Sequence, residues 1–148
     1  MRKLLSALLT AAAVLALLAS GCGASKTADT GTHNLADTSW VLVSYGDPAN
    51  LKAVIAGTKV TLSFNAATDQ ISGNGGVNGY GGNAVRTDNQ LTLSGILHTE
   101  MASVNQAINE QENAYFNLLG AAQNVEFGNS SLTIHCEGGQ VLVFTAAQ

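Results

Sequence analysis

Apolar residues follow three rhythms along this chain. Through residues 4–19 they are continuous apart from small residues, relieved only by Ser6 and Thr10. Between Cys22 and His33 the large ones vanish, leaving Gly, Ala, Ser, Thr and Asp with one Lys. From Leu35 onward they come in short alternating runs. Val60, Leu62 and Phe64 are spaced by Thr61 and Ser63, the period of a strand with one buried face. Leu91 and Leu93 alternate after the turn Arg86-Thr87-Asp88-Asn89, and Leu132 and Ile134 after Gly128-Asn129. Residues 39–45 (SWVLVSY) are rich in β-formers, residues 70–72 begin a partner strand beyond the turn at 65–69, and residues 141–144 form a last strand after Glu137-Gly138-Gly139. Residues 101–119 depart from this pattern. Val104, Ile108, Tyr115 and Leu119 there fit a helical period. Ser103 with Gln106, or Asn109 with Glu112, would make its capping box, and Gly120 its stop. The expected fold is mostly β (α+β): a small antiparallel curved sheet or partly open barrel with one helix packed against it, since both must bury an apolar face.

The leading apolar run is about 16 residues, short of the roughly 20 that a membrane span needs. With Arg2 and Lys3 before it and small residues after it, it has the layout of a signal peptide. The exit, Leu18-Ala19-Ser20-Gly21-Cys22, resembles the lipobox of bacterial lipoproteins, with Ala19 where Leu is commonest. Residues 1–21 are therefore expected to be removed, and Cys22 to carry a thioether-linked diacylglycerol and, on its new amino group, an acyl chain such as palmitate. More than one chain is what stable anchoring requires. Residues 22–34 then form a flexible tether, and residues 35–148 the folded domain. The expected location is the cell envelope, on the extracytoplasmic face of a membrane.

Charge narrows the partners. Losing Arg2 and Lys3 leaves 4 Lys and Arg against 10 Asp and Glu, a net charge of −6 with His neutral. Nucleic acid, which selects basic patches, is excluded, as is docking on anionic lipid through protein charge. With Cys22 lipidated, Cys136 is the one remaining thiol and no intrachain disulfide forms. A monomer held by its own core is expected.

The densest cluster of unusual residues is GNGGVNGYGG at residues 73–82. Gly79 to Ala84 spells G-x-G-x-x-A, but a dinucleotide fingerprint must lie between a strand and a helix; here strands flank it, so its glycines are read as positive-φ positions or close backbone approaches. His33, His98 and His135 lie far apart with no partner at metal-ligand spacing. His98 and His135 read as solvent-facing or hydrogen-bonded. His135 and Cys136, as neighbours on a strand, point to opposite faces and do not make a nucleophile pair. No nucleophile elbow occurs. Glu110 and Glu112 read as a solvated helix face, and Trp40, Phe64, Tyr80, Tyr115, Phe116 and Phe144 as core. No cofactor, metal site or catalytic set is expected.

The order of motifs carries a resemblance. Thr38-Ser39-Trp40, the strand VTLSF, GNGGVNGYGG, LTLSGILHTEMAS and the helical stretch 112–119 together resemble the META domain, the family of the heat-shock protein HslJ and of many small bacterial lipoproteins. The resemblance covers about residues 35–144 and marks Trp40, Gly73, Gly76, Asn78, Tyr80, Gly82, Thr99 and Met101 as structural motif residues. It implies a small β-rich fold with a helix before two closing strands, no established catalysis, roles in envelope stress or tolerance of toxic compounds, and a likeness to lipid-binding secretion pilot proteins. Where the family commonly has two cysteines this chain has Val77 and Ser103, which implies that these two residues lie side by side. The expected function is a non-catalytic envelope module that binds a protein partner or supports the envelope. The alternative is a carrier of a lipid or small hydrophobic ligand in a cavity between helix and sheet.

Overall fold

The computed structural model describes residues 35–148; the expected signal peptide, the expected lipidation site Cys22, the expected tether and His33 lie outside them. Among the described residues the elements run β1 (Ser39–Asp47), β2 (Asn50–Ala53), β3 (Thr61–Asn65), β4 (Gln70–Asn74), β5 (Gly79–Thr87), β6 (Gln90–His98), α1 (Gln106–Gly120), β7 (Ala122–Phe127), β8 (Ser131–Cys136) and β9 (Val141–Ala146). Every pairing is antiparallel, and β3 to β9 pair in chain order. The N-terminal half of β1 pairs with β3, while its opposite edge pairs with β9. Eight strands thus close into a barrel, and β2 extends β1 as a hairpin. The expected curved sheet closes completely, although β6 and β7 are joined by a single pair, Gln90 with Asn124.

Alternation fills the interior. β8 alternates without a break, burying Leu132, Ile134 and Cys136. In β1 the phase shifts: Trp40 and Leu42 point inward, then Tyr45, because a bulge at Val43 inserts one residue and leaves it about half exposed. β6 does the same, with Leu91 and Leu93 inward and then Ile96, and Gly95 at φ +61° makes the bulge. Such bulges bend a strand sharply, which a barrel this small needs. Leu62, Leu91, Leu119, Leu132, Ile134, Leu142 and Phe144 are essentially fully buried. Each contributes about 1.5–3 kcal/mol relative to exposure. Among the described residues the core starts at Leu35 and eight strands close on one another.

Three strands were not legible as strands. β2 is exposed at all four positions and has no alternation. β5 begins with glycines, poor strand formers, and β7 carries a bulge at Gln123. Three strands rather than two therefore follow the helix, and the glycine motif lies partly inside β4 and β5 instead of between strands. The helix also begins later than expected. Asn105 is its N-cap, accepting from the Ala107 amide at 3.1 Å, while Val104 precedes the helix and is wholly exposed. Gly120 is its last residue, as the composition suggested.

α1 lies over the barrel end where the β4–β5 turn, the 54–60 loop and the 99–105 segment gather, as its hydrogen bonds to these segments require. It buries Gln111, Glu112, Tyr115, Leu118 and Leu119. The barrel is drawn in below the helix at Gly73, where a Cβ would stand 2.0 Å from the Thr61 carbonyl oxygen and 2.8 Å from the Tyr80 hydroxyl. We expect Gly73→Ala to destabilise the domain by at least about 2 kcal/mol, as overpacking against backbone does. Gly120→Ala meets nothing within 4 Å and should be neutral or stabilise by up to about 1 kcal/mol. Urea midpoints of the two variants check this.

Candidate functional site

The motif residues converge on Asn78, which is buried in the β4–β5 turn. Its side-chain amide donates to Oε2 of Glu112 at 2.6 Å and to the Met101 carbonyl at 2.9 Å. Its Oδ1 accepts from the Thr99 hydroxyl at 2.8 Å and the Met101 amide at 2.7 Å. Both donors and both acceptor positions are in use. Glu112, from the helix, accepts at Oε1 from the amides of Val77 (2.9 Å) and Asn78 (2.6 Å). One asparagine and one glutamate therefore join the glycine turn, the segment after β6 and the helix.

Glycines make the approach possible. A Cβ on Gly75 would lie 2.6 Å from the Phe116 ring and 2.7 Å from Oε1 of Glu112, so a side chain there would drive the helix off. Gly76 adopts φ +121°, closed to L side chains, and donates to Oδ1 of Asn74 at 2.7 Å. Gly82 faces the Ser94 carbonyl at the β6 bulge, where a Cβ would stand 3.0 Å away.

A second polar contact crosses the core beneath. The Tyr80 hydroxyl donates to the Thr61 carbonyl at 2.8 Å and lies 2.6 Å from the Tyr115 hydroxyl, which donates to it in turn. Burial pushes both phenols well above their ordinary range, and for Tyr115 the neighbouring phenol adds to the rise. Phe116 packs edge-on against Tyr80 and stacks on His98 with ring centroids 4.5 Å apart. On the same helix Gln111, 1 % exposed, accepts from the Ile55 amide at 2.7 Å and donates to the Thr58 hydroxyl at 3.0 Å.

The structure brings Asn78, Thr99 and Met101 into direct contact, with Gly76 and Tyr80 beside them on the same turn and strand. Trp40 is apart from this group: it is buried in the core on β1 and donates from Nε1 to the Thr38 hydroxyl at 2.8 Å. Glu112 corrects an expectation. It is 5 % exposed and central, whereas Glu110 is solvent-facing. The signal was in its spacing, three residues before Tyr115 and seven before Leu119, which sets it on the buried face despite its charge. Phe116 is only half-buried at the rim; the other aromatics assigned to the core are buried.

The remaining candidates are dispersed. His98 is exposed, with Nδ1 2.8 Å from the Thr99 carbonyl, and His135 pairs at 3.1 Å with the exposed Glu126. Cys136 points into the core, opposite His135, and burial pushes its thiol up to about 11. The reactive thiolate is thus suppressed near neutrality. Among the described residues no group of His, Cys, Asp and Glu is placed to hold a metal ion.

A small antiparallel barrel stoppered by one helix, with the helix locked to a glycine turn by an asparagine and a glutamate, is the class that fold and site define. The chain belongs to the META domain family, whose model matches residues 33–148. A structure solved by NMR for a protein from Burkholderia xenovorans is similar at 26 % identity and TM-score 0.67, covering 77 % of this chain and 84 % of that one. A second NMR structure shares the fold at 22 % identity and TM-score 0.57, over 74 % and 88 % of the two chains. So does the crystal structure of a DUF4847 family protein from Bacteroides vulgatus ATCC 8482, at 15 % identity and TM-score 0.53, over 75 % and 93 %. No curated protein matches the chain.

Two predictions follow from the junction. Asn78→Ala strands Oε2 of Glu112 and both Met101 backbone groups, so it should cost about 3 kcal/mol and release residues 99–103. Denaturant titration reads the first effect and amide exchange the second; a loss under about 1 kcal/mol would refute the assigned role. The second concerns Val77 and Ser103. Val77 adjoins Asn78, which binds Met101, while Ser103 is held by Asn109 through its amide (2.8 Å) and carbonyl (2.9 Å). We propose that their Cβ atoms lie within about 6 Å, near disulfide range. Oxidised Val77→Cys/Ser103→Cys domain should then retain only the Cys136 thiol on denaturing titration and gain about 2–4 kcal/mol. Retention of all its thiols would place the two residues apart.

Proposed function

We propose that this chain is a non-catalytic envelope module, anchored through lipid on Cys22 after removal of residues 1–21, that acts as a monomer by binding a protein partner. The observation that carries this reading is the saturation of Asn78. In the motif that distinguishes the domain, the polar groups are spent on holding three segments together, and a group so engaged is a fastener, not a reagent. The same holds for Glu112, whose oxygens accept from three neutral donors. The motif's product is a rigid surface, which suits recognition.

The carrier reading finds less support. A ligand cavity buries most of its guest, but the barrel interior is occupied by Leu62, Leu91, Tyr115, Leu132 and Phe144. The described clefts, of about 290 to 450 Å³, lie open to solvent. The cleft of about 380 Å³ between helix and hairpin has the buried Tyr45 and Leu118 at its floor but is bordered by the exposed, polar Lys52 and Asn117. Native mass spectrometry of residues 35–148 recovered from a membrane-containing extract separates the readings. The expected result is the bare polypeptide mass at low collision energy. Added mass that extracts as lipid would transfer the function to the carrier.

A further inference from the structure

The surface beside the Asn78–Glu112 junction has a composition that its own fold does not require. An open cleft of about 330 Å³ lies between α1 and the segment before it, bordered by Asn78, His98, Glu100, Met101, Asn109 and Phe116. Met101 is 63 % exposed, Val104 wholly exposed, and Leu97 at the end of β6 is 78 % exposed. Single exposed apolar residues are ordinary. Met101 and Val104 fall within four residues, on a segment that Asn78 holds at Met101 and Asn109 holds at Ser103, whereas Leu97 belongs to β6 and faces a separate cleft over β4 and β5. Ser103 braces it further by accepting the Asn105 amide at 3.1 Å. Pinned backbone keeps Met101 and Val104 from folding back onto the barrel, so their apolar area stays in water until something covers it.

Charge says what covers it. Glu100 borders the cleft and Glu110 is exposed on the adjoining first half of α1. No Lys or Arg follows Arg86 anywhere in the sequence, while Asp88, Glu100, Glu110, Glu112, Glu126 and Glu137 do. The donors to Glu112 are all neutral and leave its charge uncancelled, and on the segments gathered at this end the acidic Glu100, Glu110 and Glu112 outnumber the single cation, Lys59 of the 54–60 loop. A second copy of the chain would set Glu100 and Glu110 against like charges, and an anionic bilayer would be repelled in the same way.

We propose that this cleft is the docking site for a partner segment that is both apolar and basic. Its apolar side chains seat on Met101 and the rim of Phe116 in the cleft and reach Val104, three residues further along the pinned segment, and its Lys or Arg residues meet Glu100 in the cleft and Glu110 on the helix that borders it. The inference rests on the protein-binding reading and gives the partner its chemistry. Complementary charge guides encounter and register, and the apolar anchors supply most of the affinity.

The test is an amide NMR titration of residues 35–148 with a synthetic amphipathic Lys/Leu peptide, and with its Glu/Leu counterpart. Shifts are expected at residues 97–104 and in the first two turns of α1, with the Lys/Leu peptide only. Met101→Ser/Val104→Ser should weaken binding about tenfold or more, the loss of one or two buried apolar side chains. Glu100→Gln/Glu110→Gln should weaken it and flatten its salt dependence. All four positions are exposed, so urea midpoints should not move. Equal binding of the Glu/Leu peptide, or shifts spread over the acidic surface and indifferent to both double variants, would overturn the proposal. So would Met101- and Val104-dependent binding to zwitterionic vesicles, which would assign the patch to a lipid surface. A protein crosslinked in the envelope through another face would overturn this inference and leave the protein-binding reading standing.

Discussion

A carboxylate taken out of water must be met by donors, and the META barrel is arranged around meeting one. Glu112 enters from the helix, and the glycine turn brings two backbone amides and the Asn78 side chain to it. Apolar packing alone would hold α1 against the barrel end but would discriminate poorly among its rotations, each residue step turning a helix by about 100°. Glu112 and Gln111, adjacent on the helix, bind the turn at 77–78 and the loop at 55–58. Only one rotation satisfies both. The helix thereby becomes a fixed part of the wall, and the segment leading into it inherits that fixity through Asn78 and Asn109.

The same junction explains why so small a barrel tolerates glycine in its strands. Gly73 and Gly82 lack side chains because backbone or hydroxyl groups occupy the volume a Cβ would need, and Gly75 because Phe116 and Glu112 do. The conformational entropy given up at each such position is offset by contacts that no alanine could allow. Bulges at Val43 and Gly95 supply the bend that closes the ring. Closure leaves fewer exposed edges than an open sheet would present, those of β2 and of the weakly joined β6 and β7 remaining, and it leaves the helix end as a face of irregular but fixed surface.

Sequence reasoning reached the strands whose alternation is strict. Leu62 and Phe64, Leu91 and Leu93, and Leu132 and Ile134 each announce an inward face because nothing interrupts the period. It did not reach β2, which buries nothing, nor β5, where glycines replace the residues that would mark a face. The helix start was misplaced because Val104 mimics the apolar period, whereas Asn105, two residues before the amide it caps, carried the true signal. Glu112 was misread for a related reason. Its spacing to Tyr115 and Leu119 sets it on the buried face, but charge is a strong guide to exposure, and the donors that make its burial possible lie 34 and 35 residues earlier in the chain, where no local pattern identifies them.

That dependence bears on what the domain presents to other molecules. A loop with exposed Met101 and Val104 would, if free, cover them against the nearest apolar surface, at a cost set mainly by its own chain entropy. Asn78 and Asn109 remove that freedom by engaging the backbone at Met101 and Ser103 from two sides. The ordering entropy is thus met during folding, not when a partner arrives, and pre-organisation of this kind raises affinity without adding contacts. The buried junction and the exposed ridge are therefore one device: the saturation that disqualifies Asn78 and Glu112 as reagents is what holds Met101 and Val104 out in water.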